Sequence, residues 1–424
     1  MLNLNKYISI WILICLNFSC KNQITKVQFT TPTAAQILGH PDFLAMSYGG
    51  YRQTSRDIQP TLAEIKDDLK LMHAMGVRII RTYNLQLPQA SNILKAIREL
   101  RSKNKAFEMY VMLGAWMDCK NAWTDLPPDH SVEDFENNSS EISKAVELAN
   151  LYPDIVKIVS VGNEAMVHWA TSYFVQPKVI LRWVNHLQEL KQHQKLPKDL
   201  WITSSDNFAS WGGGGSEYHN NDLEALIAAV DYVSIHTYPF HDTHYNSEFW
   251  LSPSQENSLG PHQRTDLAMD RAMAYAIAQY EAVKSYLQRL GIDKPIHIGE
   301  TGWATTSEGL YGPNGSFAAD EYKQALYYKK MRQWSNKTNV ACFFFEAFDE
   351  PWKDAQNPNG SENHFGLFTV DGKAKYALWH NVDEGVFKSL SRNNVSITKT
   401  FNGNQHELMK HVFPPKIKLT PQLK

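Results

Sequence analysis

Eight short β-rich runs alternate with longer helical patterns along most of the chain, and this alternation constrains the fold more than any other feature. The runs are continuously apolar, as are strands that are buried on both faces of a parallel sheet. The alternation predicts an α/β fold, a (β/α)8 barrel that forms a single catalytic domain over residues 41–385. The strand candidates are Phe43–Tyr48, Val77–Thr82, Glu108–Leu113, Val156–Val161, Trp201–Ser204, Tyr232–His236, Ile296–Ile298 and Ala341–Glu346. The clearest helical patterns are Leu62–Met75, Ala90–Ser102, Ser140–Leu151, Val179–Gln194, Asp266–Leu290 and Ala319–Trp334.

A doubly wound open sheet is the structural alternative to a barrel. Such a sheet usually carries a glycine-rich turn after its first strand, and Ser47-Tyr48-Gly49-Gly50-Tyr51 lacks that spacing. The run Gly212–Gly215 follows the fifth strand without the Lys-Ser/Thr of a phosphate loop, so we interpret it as a flexible loop. Residues 240–265 form a long polar loop after the sixth strand, where loops of a barrel often shape the substrate site.

Composition indicates an ordinary globular enzyme rather than a nucleic-acid-binding protein. Lys and Arg total 42 against 44 Asp and Glu, and the formal net charge is −2, so no basic excess indicates a nucleic-acid partner. Hydrophobic residues make up 43% of the chain and charged residues 20%, which is typical of a soluble enzyme. Nothing in the sequence indicates an organic cofactor, and we expect a monomer.

The first twenty residues resemble a bacterial lipoprotein signal peptide. Lys6 precedes the apolar run Tyr7–Leu16, which is too short to span a bilayer as a helix. The run is followed by Ser19-Cys20, and a small residue before Cys is typical of a lipobox, although Asn17 stands where Leu is common. We therefore predict that Cys20 is lipidated and anchors the protein to a membrane of the bacterial cell envelope. An ordinary cleaved signal peptide is the alternative.

Two segments flank the predicted barrel. Residues 21–40 are polar, with scattered Thr, Pro and Gln, and we interpret them as a tether. Residues 386–424 form a C-terminal extension that contains no motif. Without the signal peptide and Cys20, two cysteines remain, which is too few for a disulfide scaffold. The apolar contexts of Cys119 and Cys342 predict buried free thiols.

Two glutamates follow apolar strands at the end of the barrel where active sites lie. Glu164 ends Val161-Gly162-Asn163-Glu164, and Glu300 ends Ile298-Gly299-Glu300. Glycosidic cleavage needs one protonated carboxyl group for the leaving oxygen and one ionised carboxylate across the anomeric carbon. A single strand-end glutamate is as readily a cap or a salt-bridge partner, but two of them in one cleft form the pair that this chemistry requires.

The two glutamate motifs resemble those of glycoside hydrolase family 17. Val161-Gly162-Asn163-Glu164 is similar to the acid/base motif of that family, and Gly299-Glu300-Thr301-Gly302-Trp303 is similar to its nucleophile motif. The resemblance covers roughly residues 43–380. It implies a barrel that cleaves the β-1,3 bonds of glucans such as laminarin with retention, with Glu164 as general acid/base and Glu300 as nucleophile.

Other segments extend the resemblance and imply substrate-binding residues. Asn163 would bind the sugar 2-hydroxyl, and Tyr238 would hydrogen-bond the nucleophile. His236, Ala304 and Asp349 depart from the residues common in the family, which leaves endo or exo action open. The matching segments are Ser47-Tyr48-Gly49, Arg81-Thr82-Tyr83, Tyr238-Pro239-Phe240, Phe348–Lys353 and Glu362–Phe368. The implied substrate-binding residues are Tyr48, Arg81, Tyr83, Asn163, Tyr238, Trp303, Glu350, Lys353 and Glu362.

Three alternatives to a glucan hydrolase are compatible with the sequence. A β-glucan-remodelling transglycosylase would share the same motifs, and a non-catalytic glucan-binding surface lipoprotein could share the fold, although both glutamates are retained. The third alternative is a metal-dependent barrel hydrolase, because His236, His241 and His244 cluster after the sixth strand. Metal sites usually draw ligands from several strands, and no His-x-His follows the first one, so we predict no metal.

Overall fold

The computed structural model describes residues 31–418, and the part from Thr33 onward forms one compact unit. At its centre is a closed barrel of eight parallel strands in which each strand pairs with its sequence neighbours and the first pairs with the last. This confirms the predicted (β/α)8 barrel. In chain order the strands are β1 (Leu44–Ser47), β2 (Val77–Arg81), β3 (Tyr110–Ala115), β4 (Val156–Asn163), β5 (Trp201–Asn207), β6 (Val233–His236), β7 (Ile296–Gly302) and β8 (Cys342–Phe345).

Helices of the described chain follow the strands and cover the outside of the barrel. Six of them overlap the predicted helical patterns with shifts of a few residues at their ends. The fifth was not predicted, because its nine residues are too few to show a clear period. The helices are α1 (Leu62–Ala74), α2 (Gln89–Lys103), α3 (Phe135–Leu151), α4 (Pro177–Gln192), α5 (Asn221–Ala229), α6 (Pro261–Arg289) and α7 (Glu321–Thr338).

Successive side chains of a strand point in opposite directions, so the apolar residues of the strands are divided between two cores. Met46 of β1 packs in the layer between barrel and helices, whereas its neighbour Ala45 belongs to a smaller core with Ile79 of β2. The short helix Ala34–Ile37 belongs to this smaller core, and both of its terminal residues are fully buried. The end of the segment predicted as a tether is therefore packed, because its apolar residues close the amino end of the barrel.

The two loops singled out in the sequence are more ordered than predicted. A Cβ atom on Gly212, at φ +87°, would lie 2.1 Å from the ring of Tyr286 in α6. The glycine run is thus not a flexible loop, because it lets a wide helical turn, Ala209–Gly213, pack closely against α6. The long loop of residues 240–265 includes most of the short helix Pro239–Tyr245, and its Trp250 is buried.

The C-terminal extension joins the barrel through a buried ion pair. Arg392 Nε lies 2.9 Å from Asp68 Oδ1 of α1, and neither side chain is accessible to solvent. The same carboxylate accepts hydrogen bonds from Arg52 at 2.9 Å and from the Tyr48 hydroxyl at 3.0 Å. The described part of the extension, residues 386–418, thus contributes to the compact unit.

Cys119 and Cys342 are buried free thiols, as predicted. Within residues 31–418, no helix has both the length and the apolar character to cross a membrane. The predicted signal peptide, Cys20 and the first part of the predicted tether lie outside the described residues.

Candidate active site

Glu164 follows β4 and Glu300 lies near the end of β7, and two side chains connect their carboxylates. His236 Nδ1 lies 3.0 Å from Glu164 Oε1, and His236 Nε2 lies 3.0 Å from the Nη1 atom of Arg81. The same Arg81 nitrogen donates to Glu300 Oε2 at 3.0 Å. Two strands on different sides of the barrel thus bring both glutamates to one site, as the sequence predicts.

The backbone around both glutamates is sterically constrained. A Cβ atom on Gly299 would lie 2.1 Å from Ser234 Oγ and 2.2 Å from Ser205 Oγ, so only glycine fits before Glu300. Glu164 has φ +47°, a left-handed conformation that is uncommon for residues other than glycine. Such conformations persist where the surrounding structure imposes them, and they cluster at functional sites.

Three side chains hold Glu300 as a carboxylate. Tyr238 donates to Oε1 at 2.6 Å, and Arg81 and Tyr83 donate to Oε2 at 3.0 and 2.8 Å. Burial opposes ionisation, but His236, Arg81 and the two tyrosine hydroxyls outweigh it and hold the pKa of Glu300 below its usual value. Burial also lowers the pKa of His236 to about 4, so Arg81 is the cation that stabilises Glu300 at neutral pH.

Glu164 is shifted in the opposite direction. Burial, followed by the negative charge of Glu300, raises the pKa of Glu164 to about 8. Near neutral pH, Glu164 is therefore largely protonated while Glu300 is ionised. Two carboxyl groups whose environments separate their pKa values in this way can act as an acid and a nucleophile.

The hydrogen bonds of His236 identify the oxygen of Glu164 that carries the acidic proton. A guanidinium group only donates, so Nε2 of the neutral imidazole accepts from Arg81, and the Ser205 hydroxyl lies 2.8 Å from the same nitrogen. The imidazole proton is then on Nδ1 and is donated to Glu164 Oε1. The proton of Glu164 is left on Oε2. The sequence analysis treated His236 as a departure from the family and as a possible metal ligand, and it did not predict that His236 links the two glutamates.

A group of charged residues after β8 lies close to Glu300. Burial raises the pKa of Glu346 well above its usual value, against the opposing charge of Lys353. Lys353 has its own pKa raised, because the carboxylates of Glu346, Glu350 and Glu300 outweigh the effect of burial. Glu350 is buried and accepts a hydrogen bond from the Trp352 indole at 2.9 Å. Lys353 is thus close enough to Glu300 for their charges to interact, and Glu350 interacts with Lys353.

Tyr48 and Trp303, which the sequence predicted to bind substrate, lie instead in the core. Tyr48 is 1% exposed and its hydroxyl donates to Asp68 of α1 at 3.0 Å. Trp303 is fully buried, and its indole N–H donates to the carbonyl oxygen of Ala318 at 2.8 Å. Both residues directly follow a strand, but successive side chains of a strand alternate, and these two are directed away from the cleft.

Asn163 and Glu362 complete the predicted set. The amide oxygen of Asn163 accepts a hydrogen bond from Arg81. Glu362 is partly exposed, and its Oε1 atom lies 4.0 Å from Nε2 of His241. Within residues 31–418, no group of three or more His, Cys, Asp or Glu side chains is arranged to hold a metal ion.

Two buried carboxylates that the sequence did not single out stabilise the loops beside the site. Glu141 of α3 accepts backbone hydrogen bonds from Leu85 and Trp116, and burial raises its pKa to about 7. Asp118 accepts hydrogen bonds from the indoles of Trp116 and Trp123 at 2.7 and 3.0 Å. Asp118 lies three residues after β3, which is a detectable pattern, whereas nothing in the sequence of α3 distinguishes Glu141.

Comparison with protein families gives a match over most of the barrel. The model for the BtgE/BtgC glycoside hydrolase domain matches residues 45–366, from β1 to the segment that contains Glu362. A glucan 1,3-beta-glucosidase of Arthroderma benhamiae is 27% identical over 324 residues, which are 74% of this chain and 83% of that protein. A putative glucan endo-1,3-beta-glucosidase btgC of Aspergillus niger is 23% identical over 72% of this chain, which spans only 37% of that longer protein.

Two solved structures resemble the chain to different degrees. An endo-laminarinase from Formosa Hel1_33_131 is 61% identical, with a TM-score of 0.91, and the match covers 92% of this chain and 99% of that one. A glycoside hydrolase family 17 beta-1,3-glucanosyltransferase from Rhizomucor miehei is 19% identical, with a TM-score of 0.55 over 79% of this chain and 96% of that one. The second likeness shows a shared fold alone.

Proposed function

Since the chain belongs to the BtgE/BtgC glycoside hydrolase family, within glycoside hydrolase family 17, and is a β-1,3-glucanase, we propose that Glu300 is its nucleophile and Glu164 its general acid and base. The main support is the opposite shift of the two pKa values, to about 8 for Glu164 and below the usual value for Glu300. The cleft then holds a proton donor and an ionised nucleophile at the same pH.

In the first step Glu300 attacks the anomeric carbon and Glu164 protonates the leaving oxygen, so that one glycosidic bond breaks and one ester bond forms. The Oε2 proton is the one transferred, because Oε1 accepts from His236. Asn163 has its amide oxygen held by Arg81 and presents its amide nitrogen to the sugar 2-hydroxyl. The hydrogen bond to the sugar 2-hydroxyl strengthens in the transition state.

In the second step, water hydrolyses the ester between Glu300 and the sugar. The negative charge of Glu300 disappears when the ester forms, and that charge is one reason why the pKa of Glu164 is raised. Glu164 is therefore a stronger acid in the glycosyl-enzyme, stays ionised, and takes a proton from the attacking water. The ester bond breaks, the product regains the β configuration, and both carboxyl groups return to their starting states.

We expect the enzyme to cut internal β-1,3 bonds, as the name of the 61% identical endo-laminarinase suggests. Laminarin should yield a series of oligosaccharides before glucose, and NMR should show each new reducing end first as the β-anomer. A β-1,4-glucan serves as the control and should stay intact. Glucose as the sole early product would contradict internal cleavage, and an α-anomer formed first would contradict retention. Products longer than a supplied oligosaccharide would instead indicate a transglycosylase.

We further infer that Cys20 carries a lipid that holds the enzyme in the bacterial cell envelope. The support is the position of Ser19-Cys20 directly after the apolar run of the first twenty residues. The positive charge of Lys6 precedes that run, and polar residues follow it. This order agrees with export followed by lipidation. The glucan substrate would then be met outside the cytoplasm.

Cys20→Ala should move the enzyme from the membrane fraction to the soluble fraction when expressed in a bacterium with lipoprotein processing. The thioether bond to the lipid requires the cysteine sulfur, whereas Cys119→Ala, a change at a buried thiol, should leave the enzyme on membranes. Fractionation with immunoblotting measures the shift. Wild-type protein that carries no acyl chain by mass spectrometry would contradict the inference.

A further inference from the structure

Residues 413–418 of the C-terminal extension pair with the long loop that follows β6. The N–H of Ser252 donates to the carbonyl oxygen of Lys416 at 2.9 Å, and the N–H of Lys418 donates to the carbonyl oxygen of Ser252 at 2.7 Å. These two hydrogen bonds make Ser252 and Ile417 a parallel β-bridge, and Ser252 is fully buried. We call residues 413–418 the terminal segment.

The terminal segment also contacts α6 and the loop that follows β7. The guanidinium group of Arg264, near the start of α6, donates to the carbonyl oxygen of Pro415 at 2.6 Å. The ring centroids of Phe413 and Phe317 are 5.9 Å apart, and Phe317 belongs to the loop after β7. One short segment thus contacts both loops and is anchored on a helix of the barrel.

The loops after β6 and β7 contact each other beside the terminal segment. Trp250 is 1% exposed, and its indole N–H donates to the carbonyl oxygen of Ser316 at 2.7 Å. The hydroxyl groups of Thr243 and Ser316 lie 2.8 Å apart. Trp250 lies two residues before Ser252, which pairs with the terminal segment. Ser316 directly precedes Phe317, so the terminal segment contacts each loop next to the place where the loops meet.

The same two loops border the nucleophile. Nδ1 of His241, in the loop after β6, lies 3.1 Å from the hydroxyl of Tyr311 in the loop after β7. The ring centroid of His241 lies 5.2 Å from that of Tyr238, and the Tyr238 hydroxyl donates to Glu300 at 2.6 Å. Loops at this end of a barrel shape the substrate site, so their positions affect how glucan binds.

We propose that the terminal segment is a positioning element, which holds the loops after β6 and β7 in the arrangement that binds glucan. Contacts that order a loop before the substrate arrives reduce the entropy that binding must overcome. Without these contacts, only a fraction of the molecules would have both loops in place, and the apparent affinity would fall by that fraction. The terminal segment lies beyond residue 366, where the family match ends, so this role is separate from those of the two glutamates.

The test is a chain that ends at Val412, which lacks the terminal segment but keeps Arg392 and the buried cluster of Trp379, Leu408 and Val412. Its KM for laminarin should rise by about tenfold, the effect of losing roughly two backbone hydrogen bonds that hold a loop. Its kcat should stay close to that of the wild-type enzyme, because bound glucan selects the ordered arrangement. Steady-state kinetics separates the two quantities.

Hydrogen exchange of the free enzymes gives a measurement that does not depend on activity. In the chain that ends at Val412, residues 247–256 and 306–317 should exchange faster than in the wild-type enzyme, because their contacts outside the loops are lost. The amides of β4 and β7 should exchange at the wild-type rate. A chain that ends at Lys418 is the matched control, because it is shortened but keeps the terminal segment, and its KM and exchange should equal those of the wild-type enzyme.

Arg264→Ala is a second variant, which removes the anchor of Pro415 without shortening the chain. It should change KM and loop exchange in the same direction and to a smaller extent. An unchanged KM in the chain that ends at Val412 would overturn the proposal, as would exchange at the wild-type rate in both loops. A fall in kcat with an unchanged KM would also overturn it. If that chain does not fold, Arg264→Ala decides, and a wild-type KM in this variant would overturn the proposal.

Discussion

Alanine in place of Glu300 should lower kcat on laminarin by about ten-thousand-fold or more, because the change removes the nucleophile. The space left by the missing carboxylate can admit a small external anion. Azide should therefore restore turnover of an activated aryl β-glucoside and form the α-azide by attack from the vacated face. Steady-state kinetics and NMR of the azide product measure the two effects.

A matched variant tests whether the loss is specific to the site. Glu147 is an exposed glutamate on α3 that pairs with Lys144, and Glu147→Ala should keep the wild-type rate. A β-azide from Glu300→Ala would show that the roles of the two glutamates are reversed. Retention of more than a small fraction of the wild-type rate would show that another group attacks the sugar.

Glu164→Ala should have a large effect that depends on the leaving group. On laminarin, kcat/KM should fall by about 10²- to 10⁴-fold, the usual contribution of a general acid. A dinitrophenyl glycoside needs no proton at its leaving oxygen, so its first step should be far less affected, and the glycosyl-enzyme should accumulate after a burst. Azide should then release the β-azide.

The pH dependence of this variant gives a second measurement. The wild-type enzyme requires protonated Glu164, so kcat/KM on laminarin should fall as pH rises through about 8. With the dinitrophenyl glycoside, Glu164→Ala should not show that decline at alkaline pH, because the variant has no carboxyl group at this position to lose its proton. Glu164→Gln controls for the cavity left by alanine and should behave in the same way. An alkaline decline that persists in both variants would assign it to another group.

The barrel and the catalytic pair could be predicted because both depend on local patterns. Each apolar run of three to six residues predicts a buried strand, and the residues that close strands face one end of a barrel. This rule found Arg81, Tyr83, Asn163 and Tyr238, which contact Glu300 or its arginine. The same rule selected Tyr48, and the family resemblance added Trp303, but both side chains are buried. Neither a strand-end position nor a motif gives the direction of a side chain.

Contacts between distant residues could not be predicted in the same way. The protonated nitrogen of His236 depends on Arg81, which lies 155 positions earlier in the sequence. The pairing of Asp118 with Trp123 depends on a left-handed residue that no propensity favours. The packing of Gly212 against Tyr286 likewise depends on the path of a helix that follows much later in the sequence.

The ion pair between Asp68 and Arg392 bears on how far this enzyme can be shortened. The family match stops at residue 366, after the last of the proposed catalytic and binding residues. A chain cut there would lose Arg392, one of the two arginines that pair with Asp68, and we expect it to be less stable than the full chain. The segment that the family model matches is thus shorter than the segment that packs as one compact unit. A shortened form of this enzyme should therefore keep Arg392 as well as the residues that the family model matches.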